Sequence, residues 1–282
     1  MKPLEYWTPD TFDVVSYTRD NSPYSDIFRT PGLNLKYKIN KSFNTCGFDK
    51  SGKCVYTYNE LGYRGDSIHK SGFKILSIGC SMTEGAGVND NETWSHQFTK
   101  LIENGVDFNL GLSGRSNDYI TRVLITFYNL LKPDLVLIMY TSPLRREIYT
   151  KDGGIEPYRP GMQWGYMKET EDGRKIQNHL IELQNDNEDF INWYKNHQLI
   201  KLFLESKGCN WLWNGWFGIP KEYKEYNRFD GMYGDFIDKG IDNFHPGSQH
   251  NYQYSKVLFN YIYKNFRYFL PDSVEPIKSI SI

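Results

Sequence analysis

The sequence predicts an α/β fold, with a mostly parallel sheet of about five strands and helices on both faces. From residue 73 onward, short apolar runs typical of strands buried on both faces alternate with segments of helical periodicity. This alternation indicates a parallel sheet, because each crossover helix covers one of its faces. Before residue 73 the chain is rich in Tyr, Asn, Pro and Gly and lacks a long helical period. We therefore expect a β-rich N-terminal extension there.

Charge and hydropathy argue against two classes of binding partner, nucleic acid and membrane. The 282 residues carry 33 Lys+Arg and 34 Asp+Glu, a formal net charge of -1, so the basic excess typical of nucleic-acid binding is missing. No apolar run approaches the roughly 20 residues of a membrane helix. The N-terminus also lacks the apolar stretch of a signal peptide. We expect a protein that binds neither nucleic acid nor membrane and whose location is cytoplasmic or not specified by the sequence.

The elements of the α/β part follow from two periodicities. FKILSIG, VDFNLGL, DLVLIMY and CNWLWN are short apolar runs that predict buried strands. Between them, apolar residues recur at helical spacing; Trp94, Phe98, Leu101 and Ile102 are one such set. The predicted order is strand 73–79, helix 94–102, strand 106–112, helix 120–131, strand 134–140, helix 189–207, strand 209–214 and helix 247–266.

The chain divides into three predicted parts. Residues 1–70 form the N-terminal extension, residues 71–270 the α/β domain, and residues 271–282 a tail. Residues 150–188 interrupt the alternation with Gly-containing turns and no clear periodicity. A stretch this long without periodicity is a functional loop or a disordered one, and we interpret it as an insertion in the domain.

The cysteines do not indicate a disulfide scaffold or a zinc site. Cys46, Cys54, Cys80 and Cys209 are few for a chain of this length, and no pair has zinc-binding spacing. We expect four reduced thiols, with a bridge between Cys46 and Cys54 across a hairpin as the alternative. No residue pattern predicts a metal site or a cofactor.

Ser81 is the first candidate for chemistry. It follows predicted strand 73–79 and precedes a helix, which places it at the carboxyl edge of the sheet, where α/β folds bind ligands. Unpaired N–H groups at the start of that helix can stabilise an oxyanion. The segment 79–87 lacks both the Lys of a phosphate-binding loop and the G-x-G-x-x-G of a dinucleotide site. A nucleophilic Ser fits, and it requires a base elsewhere in the chain.

His245 is the candidate base. It lies in the segment DNFHP, residues 242–246, directly before the C-terminal helix, and Pro246 suits the first turn of that helix. An Asp three residues before a His can accept a hydrogen bond from the imidazole and fix its tautomer, as the third member of a Ser-His-Asp triad does. Taken alone, the same pattern equally indicates a helix cap.

Together these segments resemble the SGNH hydrolases, also called the GDSL esterase/lipase family, over about residues 73–268. The family's first block, G-D-S, matches residues 79–81, its second matches residues 109–114, and its last, D-x-x-H-P, matches residues 242–246. A literal G-D-S at residues 65–67 follows no buried strand, and we interpret it as a decoy. The resemblance implies a three-layer, flavodoxin-like fold.

The resemblance also assigns roles to individual residues. It implies a Ser-His-Asp triad in which Ser81 is the nucleophile, His245 the general base and Asp242 the carboxylate that orients it. The backbone N–H groups of Ser81 and Gly114 would face the oxyanion, and an acyl-enzyme intermediate would form without a metal or cofactor.

Two positions depart from the family pattern. The third block, G-x-N-D, should add an Asn side chain to the oxyanion hole, but here the third strand leads into T-S-P-L-R. We expect Thr141 or Ser142 to offer a hydroxyl donor in its place, or Arg145 a charge. Cys80 replaces the Asp of the first block, which affects the geometry of the nucleophile loop.

The expected function is that of an ester hydrolase acting on a small-molecule or glycan ester. A carbohydrate O-acetyl ester is the leading substrate, since the family often deacetylates carbohydrates. Arg145, Trp164 and Trp213 are candidate substrate contacts, because rings stack on sugars and an arginine attracts acids. The alternatives are that the rings fill the core and that Arg145 and Arg146 are solvated or paired in their loop.

Two other functions stay open at this stage. One is a binding or structural protein that keeps the fold without efficient catalysis, which the missing Asn favours. The other is an acyltransferase on the same fold. The sequence does not predict the oligomeric state.

Overall fold

The computed structural model shows a central four-stranded sheet between two layers of helices. It describes residues 42–44, 54–149, 155–158, 171–183, 185–215, 223, 225, 227–231 and 235–276. The strands are β1 (Ser42–Asn44), β2 (Val55–Thr57), β3 (Phe73–Ile78), β4 (Gly105–Asn109), β5 (Leu135–Tyr140), β6 (Arg146–Tyr149), β7 (Ile155–Tyr158) and β8 (Asn210–Gly215). The helices are α1 (Ser81–Glu84), α2 (Trp94–Thr99), α3 (Asn117–Leu131), α4 (Glu171–Leu183), α5 (Asp186–Ser206) and α6 (Ser248–Asn265).

The central sheet has the order β4-β3-β5-β8, and all three neighbouring pairs are parallel. This confirms the predicted α/β class. The described residues contribute four strands to it, fewer than the five expected. At the outer edges only single-residue bridges follow: Gly65 pairs with Phe108 on β4, and Arg228 pairs with Trp213 on β8.

Side chains on each strand alternate between the two faces of the sheet, as the two-residue period of a strand requires. Leu76 and Ile78 on β3 pack in a cluster with residues of α3 and α5. Ile75, which directly precedes Leu76, points to the opposite face and packs with residues of α2 and α6. Burial on both faces explains why the strands appear in the sequence as continuous apolar runs.

The topology brings three loops to one edge of the sheet. Strand β3 lies between β4 and β5, and the three strands run in the same direction. The loops that follow their carboxyl ends are therefore neighbours, with the β3 loop in the middle. The loop after β3 contains Ser81, the loop after β4 contains Gly114, and the loop after β5 begins with Thr141.

The segment before β3 packs closely against the α/β domain. Strands β1 and β2 pair antiparallel, as expected for a β-rich extension. Leu61 and Tyr63 belong to the same buried cluster as the β4 and α3 side chains.

Cys54 is disulfide-bonded, while Cys80 and Cys209 are free thiols, so the expectation of four reduced thiols was wrong. Cys46 lies outside the described residues.

The stretch 150–188 contains regular structure that was not predicted. Strands β6 and β7 form an antiparallel pair across its start, and α4 occupies its second half. Ile176, Leu180 and Leu183 recur at helical spacing on α4, a periodicity that our prediction overlooked. Most α4 side chains for which burial is described are exposed. Within the described part of the chain, no helix is both long and apolar enough to cross a membrane.

Candidate active site

Ser81 is the first residue of α1, directly after β3 and the Gly79-Cys80 pair. The turn is tight: a Cβ on Gly79 would lie 2.2 Å from Thr83 Oγ1, so the side chain of any other residue would displace α1. Helix α1 ends after one turn at Gly85, whose left-handed φ of 78° few other residues adopt. Two glycines thus fold the nucleophile loop, and Ser81 is buried in it.

Asn109, at the end of β4, fixes the second loop against the nucleophile loop. Its Nδ2 donates to Thr83 O at 2.6 Å and to Ser95 Oγ at 2.9 Å, while its Oδ1 accepts from Gly111 N at 2.9 Å. A Cβ on Gly111 would lie 2.2 Å from the backbone N of Glu84, which allows the two loops to touch. The Asn and first Gly of the second block therefore have a structural explanation.

Two backbone N–H groups at this edge of the sheet have no protein acceptor among the described residues. Within the described residues, neither the Ser81 N–H nor the Gly114 N–H donates a hydrogen bond to a protein acceptor. Gly114 has a left-handed φ of 77°, and open space surrounds the position of its missing Cβ. Buried or loop N–H groups without partners are the elements of an oxyanion hole. These are the two donors that the sequence predicts.

Asp242 and His245 form a buried pair. His245 Nδ1 lies 2.7 Å from Asp242 Oδ2, and both side chains are almost inaccessible to solvent. The backbone N–H groups of Phe244 and His245 donate to Asp242 Oδ1 at 3.1 Å and 3.0 Å. Burial by itself would raise the pKa of Asp242, but these hydrogen bonds outweigh it and lower the pKa below its ordinary value. The carboxylate is therefore ionised and its geometry fixes the His245 ring.

The loop that carries this pair packs against the nucleophile loop. Ile241 N donates to Gly87 O at 2.9 Å, and a Cβ on Gly87 would lie 2.8 Å from Asp242 Oδ1. Gly87 follows α1 closely, so the Asp-His pair lies beside the segment that carries Ser81.

The Ser81 hydroxyl lies 4.0 Å from Cys80 Sγ, and the described residues hold no hydrogen bond between Ser81 and His245. Such bonds are often long without substrate and tighten in the Michaelis complex.

Thr141 is the better placed of the two hydroxyl candidates after β5. The Asn117 side chain holds its backbone from both sides, with Nδ2 donating to Thr141 O at 3.1 Å and Oδ1 accepting from Thr141 N at 3.0 Å. The Thr141 hydroxyl makes no hydrogen bond to any described residue. Ser142 Oγ instead accepts from Leu144 N at 3.4 Å within its own turn.

The three candidate substrate contacts have different outcomes. Trp213 is only 1% exposed and packs in the core against the rings of His197 and Tyr140, so it does not line an open site. Its position on β8, a strand buried on both faces, is the physical reason. Trp164 lies outside the described residues. Arg145 is half-buried in the loop after β5.

Sequence reasoning missed Arg64, which supports the nucleophile loop from the segment before β3. Its Nη1 donates to Glu84 O at 2.9 Å and to Gly85 O at 2.7 Å, and its Nε forms a 2.7 Å ion pair with Asp90. The guanidinium lies 3.9 Å from the centre of the Tyr56 ring. It therefore binds the backbone carbonyls at the end of α1. No periodicity or motif marks this residue in the sequence.

Glu84 was a second residue without a predicted role. Its Oε2 accepts a 2.7 Å hydrogen bond from Ser113 N and a short bond from the Ser113 hydroxyl. The bond joins the end of α1 to the residue before Gly114, which positions that N–H relative to Ser81. No group of three or more His, Cys, Asp or Glu side chains in the described ranges is arranged to hold a metal ion.

Comparisons with known proteins give little further information. No protein-family model matches the chain, and no curated protein matches it. Among solved structures, a gut microbial diltiazem-metabolizing enzyme aligns with a TM-score of 0.30 and 14% identity over 70% of this chain and 36% of its own. A Bacteroides fragilis protein described as an acylhydrolase aligns with a TM-score of 0.27 and 12% identity over 71% of this chain and 90% of its own. Likenesses at this level do not bear on the site residues.

Proposed function

We propose that the protein is a serine ester hydrolase in which Ser81, His245 and Asp242 act as the triad. The observation that supports this most is the buried 2.7 Å Asp242–His245 pair, in a loop bonded to Gly87 beside the nucleophile helix. A helix cap needs no imidazole in that position, because Asp238 and not Asp242 accepts the hydrogen bonds of the first N–H groups of α6. The capping alternative for Asp242 therefore loses its basis.

The proposed reaction follows ordinary acyl transfer. His245 Nε2 takes the proton of the Ser81 hydroxyl as its oxygen attacks the ester carbonyl carbon, and Asp242 stabilises the imidazolium that forms. The tetrahedral intermediate collapses, and His245 returns the proton to the leaving alcohol. Water then attacks the acyl-Ser81 ester with the same base, which releases the acid and restores the hydroxyl.

The oxyanion would be stabilised by the Ser81 and Gly114 N–H groups, with the Thr141 hydroxyl in place of the family's Asn. All three come from loops that meet at the carboxyl edge of β3, β4 and β5. Fixed donors of this kind stabilise charge that develops only in the transition state. As for substrate, the resemblance to SGNH hydrolases supports a small O-acetyl ester, with an acetylated glycan as the first candidate.

A second candidate is a protein that keeps the fold but binds rather than hydrolyses its ligand. The missing Asn and the lack of a Ser81–His245 hydrogen bond in the described residues favour it. An acyltransferase is the third candidate, and it would differ by turning over only when an acceptor alcohol is added.

Labelling with a fluorophosphonate probe tests the proposal. We expect the probe to label the wild-type chain on Ser81, as mapped by mass spectrometry, and the chain to hydrolyse 4-nitrophenyl acetate. Ser81→Ala should abolish both, whereas Ser67→Ala, in the exposed G-D-S decoy, should leave both unchanged. His245→Ala should lower the labelling rate by at least about 10³-fold. A wild-type chain that neither reacts with the probe nor hydrolyses the ester would favour the binding protein.

A further inference from the structure

Two consecutive arginines follow β5, and only the second is neutralised. Arg146 Nη2 forms a 2.8 Å ion pair with Asp189 and lies 3.4 Å from Glu188 on α5. Arg146 is therefore paired with carboxylates, as one of the alternatives from the sequence has it, and its role is structural. Arg145 has no carboxylate partner within the described residues.

Arg145 makes one hydrogen bond to a described residue. Its Nη1 donates a 3.3 Å hydrogen bond to Arg115 O, which is a neutral acceptor. Its Nε is buried and has no hydrogen-bond partner among the described residues. A buried guanidinium N–H without an acceptor is costly, so natural structures usually pair it. An external anion would accept a hydrogen bond from this donor and neutralise the charge of the half-buried guanidinium.

The position of Arg145 links that anion to the proposed reaction. Arg145 lies in the loop after β5, and Arg115 directly follows Gly114 in the loop after β4. Because β4 and β5 flank β3, the hydrogen bond between Arg145 and Arg115 joins the two loops on either side of the nucleophile loop. The guanidinium is therefore held next to the oxyanion donor Gly114 and at the same edge as Ser81.

We propose that Arg145 is a specificity residue that binds an anionic oxygen group, a carboxylate or a phosphate, on the ester substrate. The inference rests on the proposed function and names the substrate class of the same site: acidic esters. A guanidinium fork presents parallel N–H donors that match the two oxygens of a carboxylate or phosphate, which a neutral ester lacks. Arg145 would position the substrate and take no part in proton transfer.

Matched aryl acetates test the inference. The probes are 4-acetoxybenzoate, 4-acetoxyphenyl phosphate and the uncharged 4-acetoxybenzamide, and the measured quantity is kcat/KM for each. We expect the wild-type chain to prefer at least one charged ester over the amide, and the active charged ester identifies the group as a carboxylate or a phosphate. In Arg145→Gln the ratio of charged to uncharged kcat/KM should fall about tenfold, mainly through KM.

The adjacent arginine supplies the matched control. Arg146→Gln removes the same formal charge one residue away, and the preference for the charged ester should remain. Arg145→Lys, which keeps the charge without the fork, should retain part of it. Equal kcat/KM for charged and uncharged esters, or a preference that survives in Arg145→Gln, would overturn the inference while ester hydrolysis stands. A wild-type chain that hydrolyses none of the esters and resists the fluorophosphonate contradicts both proposals.

Discussion

Thr141 is the residue that we propose as the hydroxyl donor of the oxyanion hole. Thr141→Val removes the hydroxyl and keeps the shape of the side chain, so we expect kcat for an acetate ester to fall about 10²-fold with little change in stability. Thr141→Ser retains the hydroxyl and serves as the control. If kcat is the same in Thr141→Val and the wild type, the oxyanion is bound by backbone N–H groups alone.

Asp107 on β4 is a buried carboxyl with an unusual environment. Ser95 Oγ on α2 donates to its Oδ2 at 3.3 Å, while its Oδ1 has no hydrogen-bond partner among the described residues. Burial, and then the nearby charge of Asp66, raise the pKa of Asp107 to about 7, against the weaker opposing effects of the Ser95 bond and of Arg64 and Lys70. The carboxyl is thus half protonated near neutral pH.

This pKa predicts a pH-dependent stability. Below about pH 4 both the folded and the unfolded chain hold the proton, and between pH 4 and 7 only the folded chain does. The free energy of unfolding therefore falls across that range, by roughly 2–4 kcal/mol, and stays low above pH 7. Asp107→Asn should raise the melting temperature at pH 8 and leave it nearly unchanged at pH 4. If Asp107→Asn changes the melting temperature equally at pH 4 and pH 8, protonation of Asp107 is not the cause of the pH dependence.

At the scale of elements, Arg64 links the segment before β3 to the end of α1. Arg64→Leu removes the cationic partner of Asp90 and the donor to the carbonyls of Glu84 and Gly85. We expect the free energy of unfolding to fall by about 3–5 kcal/mol in denaturant titration. The Ser81 labelling rate should fall as well, because the nucleophile loop loosens.

Arg64→Lys is the matched control for that experiment. The ammonium can retain the ion pair with Asp90, but its three donors share one nitrogen and cannot replace all the contacts of the three guanidinium nitrogens. Intermediate stability and intermediate labelling are the expected results. If the labelling rate in Arg64→Leu equals that of the wild type, the contacts of Arg64 stabilise the fold without affecting the reactivity of Ser81.

The elements that the sequence predicts well are those whose periodicity is set by burial. The four apolar runs at 73–79, 106–112, 134–140 and 209–214 each overlap a strand of the central sheet, because both faces of that sheet are covered. Helix α4 was not predicted, because its short apolar set of Ile176, Leu180 and Leu183 follows a stretch of Gly-containing turns and its described side chains are mostly exposed. The Asp242–His245 pair was predictable because its members are three residues apart. Arg64 binds backbone carbonyls about 20 residues further along the chain, and no sequence pattern encodes a contact to a backbone carbonyl.

At the scale of the whole molecule, the boundary expected near residue 70 crosses a shared core. Leu61 and Tyr63 pack with the α3 side chains, and the Tyr119 hydroxyl donates to Tyr63 Oη at 3.1 Å. We expect a chain that begins at residue 71 to be several kcal/mol less stable than one that begins at residue 42, as measured by thermal unfolding with circular dichroism. Equal melting temperatures would show that the α/β domain folds without residues 42–70.

Trp213 illustrates why the aromatic excess was hard to interpret from composition. Trp193, Trp213 and Tyr140 pack around the buried His197, whose ring nitrogens contact Tyr140 Oη at 3.0 Å and Glu225 Oε2 at 2.8 Å. Large rings fill the space between α5 and the sheet, so much of the aromatic content stabilises the core. A ring's role depends on which face of the sheet it meets, and composition does not specify that.

The single-residue bridges at the two sheet edges have a consequence for self-association. Asn227 O accepts from Trp213 N at 3.1 Å and Phe229 N donates to Trp213 O at 2.8 Å, so this short segment occupies the backbone N–H and C=O of Trp213 at the outer edge of β8. Asp66 does the same on β4, where its N–H donates to Asp107 O and its carboxylate accepts from Asp107 N. Exposed edge strands recruit strands from other chains and seed aggregates. We therefore expect aggregation on heating to begin when these segments detach, while the central sheet is still folded.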